Sequence, residues 1–307
     1  MVYSKAAACI AALLCIASWW VQTNAKDLTS ILTLVLSLAL GYLLLRANRE
    51  LSLSDTRCTL PATLFYMGCA LLPALLAQRG VGLHFAFFGI ACYLLLRTYR
   101  DREAMGRYFL AFSIIGIECL LAPRLLFTLP LLVLMGAFVE SLHVRSFFAA
   151  LLGLMLPYWV AFCTLFLTDR VGEMAQFFDF ANAGIPPMGM FTMSGISLPL
   201  SALPMLWVLL LALPGCVKLL LDRTLKQRAN AGYRFLIGVV AILILTIAVS
   251  GSLYLLLLPS TLLLSSFLGS SLFMGARSRA KNIYLILLLV LWLLFIYMGI
   301  WSNFAML

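Results

Sequence analysis

Four ionisable residues lie in or beside apolar stretches of the sequence, where a charge needs a reason to be kept. Glu118 is the only acid well inside an apolar run, and Arg124 follows six residues later. Arg79 precedes another apolar run, with His84 about one turn inside it. Two arginines suit the charge and shape of a phosphate, so these residues predict a site for an anionic lipid headgroup or a phosphate-linked substrate. The alternative is that Glu118 pairs with Arg124 or Arg79 and pins two helical hairpins, while the arginines reach lipid phosphates.

A second group of acids follows apolar runs instead of lying within them. Asp27 comes directly after the first run and is a candidate general base, although an acid before Leu28 is also typical of a helix cap. Asp169, Glu173 and Asp179 belong to a polar segment further along. They are candidate acids too, but their spacing is more typical of the solvated face of a helix.

The sequence offers no metal-ligand pattern and no nucleotide or hydrolase motif. Its eight cysteines form no CxxC pair, and the only two histidines are His84 and His143. P-loop, GxSxG and HExxH motifs are absent, which removes the parts that ATPases, serine hydrolases and zincins need. We therefore expect neither a bound metal nor a cofactor.

Composition identifies the elements that must position these residues. Of the 307 residues 64% are hydrophobic and 10% are charged, with a mean hydropathy of +1.09, whereas soluble domains carry about 25% charged residues. Soluble enzymes, disordered chains and disulfide scaffolds are therefore excluded. An apolar run of roughly 20 residues spans a bilayer as a helix. The sequence has eleven apolar runs, at about 6–22, 28–45, 60–77, 82–96, 108–122, 125–139, 147–167, 203–221, 235–250, 253–274 and 283–301.

The distribution of basic residues predicts the orientation. With the N-terminus in the cytoplasm, four of the 21 basic residues fall on the outer side, and the remaining 17 fall on the cytoplasmic side. Lysine and arginine concentrate in cytoplasmic loops, so we expect a cytoplasmic N-terminus and an extracytoplasmic C-terminus. Short basic clusters between apolar runs also argue against binding of nucleic acid, despite a net charge of +10.

Two parts of the chain depart from simple spanning helices. Segments 108–122 and 125–139 have 15 residues each, too few to cross about 30 Å as straight helices. They form either a tight hairpin in thinned bilayer or a re-entrant pair. Residues 168–202 form the one large outer segment, which begins with an interfacial amphipathic helix. A Met-rich apolar loop follows and is a candidate partner surface, with Ile185, Met188, Met190 and Phe191.

The stretch from "YFLAFSIIGIECLLAPR" to "LLGLMLPYWVAF" resembles the central part of GT-C-type polyprenyl-phosphate-sugar glycosyltransferases. Together with the later "YLLLLPSTLLLSSFLGSSLFMGARSRAKN", it also resembles an uncharacterised family of polytopic inner-membrane proteins of Gram-negative bacteria. The first resemblance implies sugar transfer from a lipid carrier, with an acid of the first outer loop as base, and that acid could only be Asp27. The loop around Asp27 spans about 23–27, however, whereas these enzymes carry a long first loop.

The sequence thus predicts an all-α integral protein of the bacterial inner membrane, forming a single transmembrane domain over residues 1–307. Three functions are open: a non-catalytic assembly or scaffold subunit, an enzyme that handles polyprenyl-phosphate-linked substrates at the outer face, and a small-solute permease. The expected partners are membrane lipids. A polyprenyl-phosphate lipid and another membrane protein are further candidates.

Overall fold

A computed structural model describes residues 5–22, 28–50, 58–71, 81–101, 103–121, 123–129, 132–133, 136–178, 202–221, 227–249, 254–273 and 279–304. Over these ranges the regular structure is entirely helical, as predicted. The α-helices are α1 Lys5–Gln22, α2 Leu28–Glu50, α3 Leu60–Ala70, α4 Val81–Leu96, α5 Met105–Leu121, α6 Val144–Leu167, α7 Ala202–Leu221, α8 Gln227–Val249, α9 Tyr254–Ser271 and α10 Arg279–Phe304. Two 3-10 helices span Pro123–Thr128 and Val171–Phe178.

Four of the helices contain stretches long and apolar enough to cross a membrane. The stretches are Ser30–Asn48, Val144–Leu167, Ala229–Ile247 and Arg279–Tyr297. Shorter apolar helices fill much of the remaining structure, among them α4 and α9. The helical membrane-protein class is therefore as expected from the composition, whereas eleven crossings and the placement of the termini remain predictions.

Helix α9 lies at the centre of the bundle. It packs against α3, α4, α7 and α8, and its described side chains from Leu257 to Ser271 are all buried. Close packing needs small residues: a Cβ on Gly269 would lie 2.9 Å from the Leu211 side chain, and one on Gly215 would collide with the Leu268 carbonyl.

Most buried hydroxyls of α9 are satisfied within the helix itself. Thr261 Oγ1 donates to the Leu258 carbonyl at 2.6 Å, and Ser265 Oγ donates to the Leu262 carbonyl at 3.0 Å. Ser266, Ser270 and Ser271 bond in the same way, each to the carbonyl three residues earlier. Small hydroxylated residues can thus line the interior without requiring a partner from another helix.

Helices α5 and α6 approach each other through glycine. A Cβ on Gly153 of α6 would collide with the Phe109 carbonyl of α5. A Cβ on Gly116 of α5 would lie 2.9 Å from the Leu154 carbonyl and 3.0 Å from the Pro157 ring. Because backbone atoms cannot give way as a flexible side chain can, these glycines set the distance between the two helices.

The chain after α5 returns to the end at which α5 begins. The second short run, predicted at 125–139, starts within a 3-10 helix and ends in a turn at 136–140, so the described residues do not form one α-helix. Ser141 Oγ lies 2.9 Å from the Tyr108 hydroxyl near the start of α5. The Arg100 amide also donates to the Val139 carbonyl at 3.2 Å. The backbone therefore retraces the length of α5 in a partly non-helical conformation.

Ion pairs hold this end of the bundle. Arg100 Nε lies 2.5 Å from Glu140 Oε2, and both residues adopt left-handed backbone angles, with φ of 54° and 55°. At the end of α2, the Tyr93 hydroxyl and the Arg46 guanidinium donate to the Glu50 carboxylate. These hydrogen bonds lower the pKa of Glu50 below its ordinary value. Charged side chains thus tie α2 to α4, and the 136–140 turn to the end of α4.

The predicted interfacial helix of the outer segment has its counterpart in the 3-10 helix Val171–Phe178, which packs against the end of α6. It is a tighter helix than the α-helix that the spacing of its apolar residues indicated. Its location at the membrane surface stays a prediction.

We expect the Gly153→Ala variant to lose about 1–3 kcal/mol of unfolding free energy, because the added methyl group meets the Phe109 backbone. Gly106→Ala in α5 is the matched control, since a Cβ there meets no atom within 4 Å. Denaturant titration of both variants in detergent micelles measures the difference. Equal stability of the two variants would contradict the close contact between α5 and α6.

Candidate functional site

The candidate site lies where the first turn of α4 meets the last turn of α5. Helix α4 begins at Val81 and α5 ends at Leu121, so His84 and Glu118 each occupy the fourth position from a helix end. The two helices pack against each other and are joined by a short connection. Residues near these two ends therefore come together.

The two side chains form a close and sealed pair. His84 Nδ1 lies 2.9 Å from Glu118 Oε2, and the side chains are only 5% and 1% exposed. The approach does not have the direction of a hydrogen bond, and none of the four nitrogen and oxygen atoms has a hydrogen-bond partner among the described residues. His84 Nε2 and Glu118 Oε1 thus lack hydrogen-bond partners among the described residues, and the Phe88 backbone amide is near the Glu118 carboxyl.

Burial makes this pairing necessary. A carboxylate removed from water without a partner costs several kcal/mol, and the bilayer supplies no compensating solvent. An imidazole can neutralise Glu118 in two ways, either as an imidazolium beside a carboxylate or as a neutral ring beside a carboxylic acid. Both forms are uncharged overall, so the pair can stay buried in either form.

The surroundings of the pair are apolar or only weakly polar. The Phe88 ring stands 6.0 Å from the His84 ring, and the thiols of Cys92 and Cys119 are near Glu118. Over the described ranges, no cluster of three or more His, Cys, Asp or Glu side chains could hold a metal ion. The described groups at this place are suited to proton exchange and charge pairing.

The structure brings together two of the four residues predicted as a phosphate site. The alternative interpretation had Glu118 paired with Arg124 or Arg79, whereas the residue found against it is His84. Arg124 belongs to the 3-10 helix after α5, but its side chain is outside the described residues, as is the whole of Arg79.

The other predicted positions are divided in the same way. Asp27, Asp179 and the proposed partner surface of Ile185, Met188, Met190 and Phe191 are outside the described residues. Glu173 forms a two-pronged ion pair with Arg170 at 2.7 and 2.8 Å. His143 precedes the first residue of α6 at an exposed position, remote in sequence from His84.

The sequence predicts that His84 and Glu118 lie at similar depth, but it does not indicate that they contact each other. In an antiparallel helix pair, positions equally far from the connected ends lie at the same depth. Because α4 and α5 are such a pair, the fourth residue of one helix faces the fourth residue from the end of the other. Charge alone favoured Arg79 or Arg124 as the partner of Glu118, since arginine is the stronger cation.

Removing one member of the pair is expected to cost about 3–5 kcal/mol of unfolding free energy, because the other remains buried without a partner. We predict this loss for His84→Leu and for Glu118→Leu, and a smaller loss for the double variant. Denaturant titration in micelles gives the coupling energy. Glu173→Gln, which opens an exposed ion pair, should change stability by about 0–1 kcal/mol. Additive losses in the double variant would show that the two side chains do not interact.

Comparison with known proteins places the whole chain in one group. No curated protein and no solved structure matches it, so the glycosyltransferase resemblance receives no support. The profile of a family of unknown function, DUF6427, matches residues 6–304. With nearly its entire length matched, the chain belongs to the DUF6427 family of unknown function.

Proposed function

We propose that the chain is a multi-pass protein of the bacterial inner membrane with a cytoplasmic N-terminus and an extracytoplasmic C-terminus. The four long apolar helices and the 17-to-4 distribution of basic residues support this arrangement. In this orientation His84 and Glu118 lie near the outer surface, and the Arg100–Glu140 ion pair lies at the cytoplasmic end.

A fusion of alkaline phosphatase to the C-terminus tests the orientation, since this enzyme folds only outside the cytoplasm. We expect an active phosphatase fusion and a dark green-fluorescent-protein fusion, because Lys- and Arg-rich loops stay in the cytoplasm. The reverse pattern would overturn the proposed topology.

Within this membrane, the proposed function is that of a non-catalytic subunit that binds the phosphate of an anionic lipid at the outer face. The observation that carries the proposal is the pairing of Glu118 with His84. The carboxylate has its own neutralising partner, so it does not require Arg79 or Arg124. In the sequence these two arginines directly flank the helix ends that the pair joins, and we propose that they bind an external anion.

Two arginines at such a place are suited to bind a phosphate group. Guanidinium groups bind phosphate oxygens through paired hydrogen bonds, and arginines at a membrane surface are in reach of headgroups. The headgroup can belong to a phospholipid or to a polyprenyl-phosphate carrier, which share this chemistry. Binding requires no nucleophile or base, and the proposal assigns no catalytic role to Asp27.

An assembly role agrees with the surface of α6. This 24-residue helix is mostly exposed and packs against the rest of the bundle mainly through α5. Its exposed side includes Phe148, Trp159 and Phe166, and the chain continues from its end into the segment that contains the proposed partner loop. We propose that this side of the molecule faces the partner subunit, and that lipid covers it where no partner does.

Native mass spectrometry of protein extracted with its own lipids tests the proposed binding. We expect a co-purifying phosphate lipid, identified by fragmentation as phospholipid or polyprenyl phosphate. Arg79→Gln and Arg124→Gln should each weaken its retention by about tenfold or more, the effect of losing a charge-assisted hydrogen bond. Arg170→Gln is the matched control, because Arg170 is already paired with Glu173.

Equal retention in all three variants, or no phosphate lipid at all, would contradict the proposed site. Co-purification of a stoichiometric protein partner without a lipid would support the assembly role and contradict the proposed lipid binding.

A further inference from the structure

The open atoms of the His84–Glu118 pair point to a use beyond joining two helices. A purely structural pair in the membrane is best served when every polar atom has a partner, because each unpartnered atom carries a desolvation cost. Here His84 Nε2 and Glu118 Oε1 are buried without hydrogen-bond partners among the described residues. Both atoms are therefore free to take a proton or a water molecule.

We propose that His84 and Glu118 form an intramembrane proton-binding site, loaded from water at the outer side of α4 and α5. The proposal goes beyond the lipid-binding function and does not depend on it. Buried acid and imidazole groups on spanning helices commonly mark proton pathways. This pair has the required distance of 2.9 Å between Nδ1 and Oε2.

The proton steps balance without any further reactant. A hydronium ion gives a proton to His84 Nε2, forming an N–H bond and leaving water. The ring then carries a proton on each nitrogen, and the imidazolium neutralises the Glu118 carboxylate 2.9 Å away. Taken up at Glu118 Oε1 instead, the same proton forms an O–H bond there and leaves the ring neutral. No electrons are exchanged, and the loaded pair is uncharged overall in both arrangements. A low-dielectric site tolerates such a transfer better than one that leaves a separated charge.

Few other groups compete for the proton. The neighbouring titratable groups on α4 and α5 are the thiols of Cys92 and Cys119, and α6 contributes the Tyr158 phenol next to Cys119. Thiols and phenols are uncharged near neutral pH. The helices α2 and α9 present Thr33 and Leu263 to the glycines of α4. In sequence, Arg79 and Arg124 are the nearest cations.

Infrared difference spectroscopy of the protein in lipid nanodiscs tests the proposal. Stepping the pH between 9 and 5, roughly the interval about the ordinary histidine value, should give a carboxyl band from Glu118. The band should be lost in Glu118→Gln. In His84→Gln, which keeps the carboxyl group, it should persist with a midpoint shifted by about one pH unit or more.

Two controls separate this site from ordinary surface acids and from misfolding. Glu173→Gln should leave the Glu118 band and its midpoint unchanged. If Glu118→Gln fails to fold, the midpoint of the carboxyl band in wild type and in His84→Gln still tests the proposal. A spectrum with no buried carboxyl band in this interval, or a midpoint that ignores the loss of His84, would overturn the proposal. Neither result would alter lipid retention by Arg79 and Arg124.

Discussion

An apolar bilayer gives a carboxylate no solvent, and the pairing of Glu118 with His84 meets that constraint where the first turn of α4 meets the last turn of α5. Because both residues occupy the fourth position from a helix end, the contact fixes the relative depth of α4 and α5. Helix α6 is held in turn by glycine contacts against α5. The arrangement of these three helices therefore depends on one buried pair and on two glycines, Gly116 and Gly153.

The same constraint explains the centre of the bundle. Helix α9 is buried along its described length, yet it carries several hydroxyl groups. Most of them donate to carbonyls of their own helix, which lets α9 pack against four neighbours without matching hydrogen bonds across each interface. Charged groups are found instead at the opposite end from the pair, where Arg100, Glu140, Arg107 and Asp101 form exposed ion pairs.

Many of the helices could be predicted from the sequence, because the length and composition of an apolar run are properties of consecutive residues. Helices α1, α2 and α10 follow the predicted runs closely. The conformation of the run at 125–139 could not be predicted in this way, because hydropathy indicates whether a segment is buried and not whether it is helical. The described part of this run begins within the 3-10 helix Pro123–Thr128, and the backbone turns before residue 141.

The sequence placed His84 and Glu118 among four candidate residues but did not pair them with each other. Sequence reasoning selected His84 and Glu118 because charge inside an apolar run is costly, which is a local property. Their mutual contact depends on the register of two packed helices, which hydropathy does not contain. The positive charge of Arg79 and Arg124 favoured them as partners of Glu118, whereas the structure pairs Glu118 with His84.

A distance measured in lipid tests the central claim most directly. Solid-state NMR can combine 15N-labelled histidine with 13C-labelled glutamate carboxyl groups, and a His143→Gln background leaves His84 as the only histidine among five glutamates. The account predicts a coupling between the His84 ring nitrogen and one glutamate carboxyl carbon, corresponding to about 4 Å, that disappears in Glu118→Gln. A spectrum without this coupling, or one that persists in Glu118→Gln, would contradict the pairing on which the account depends.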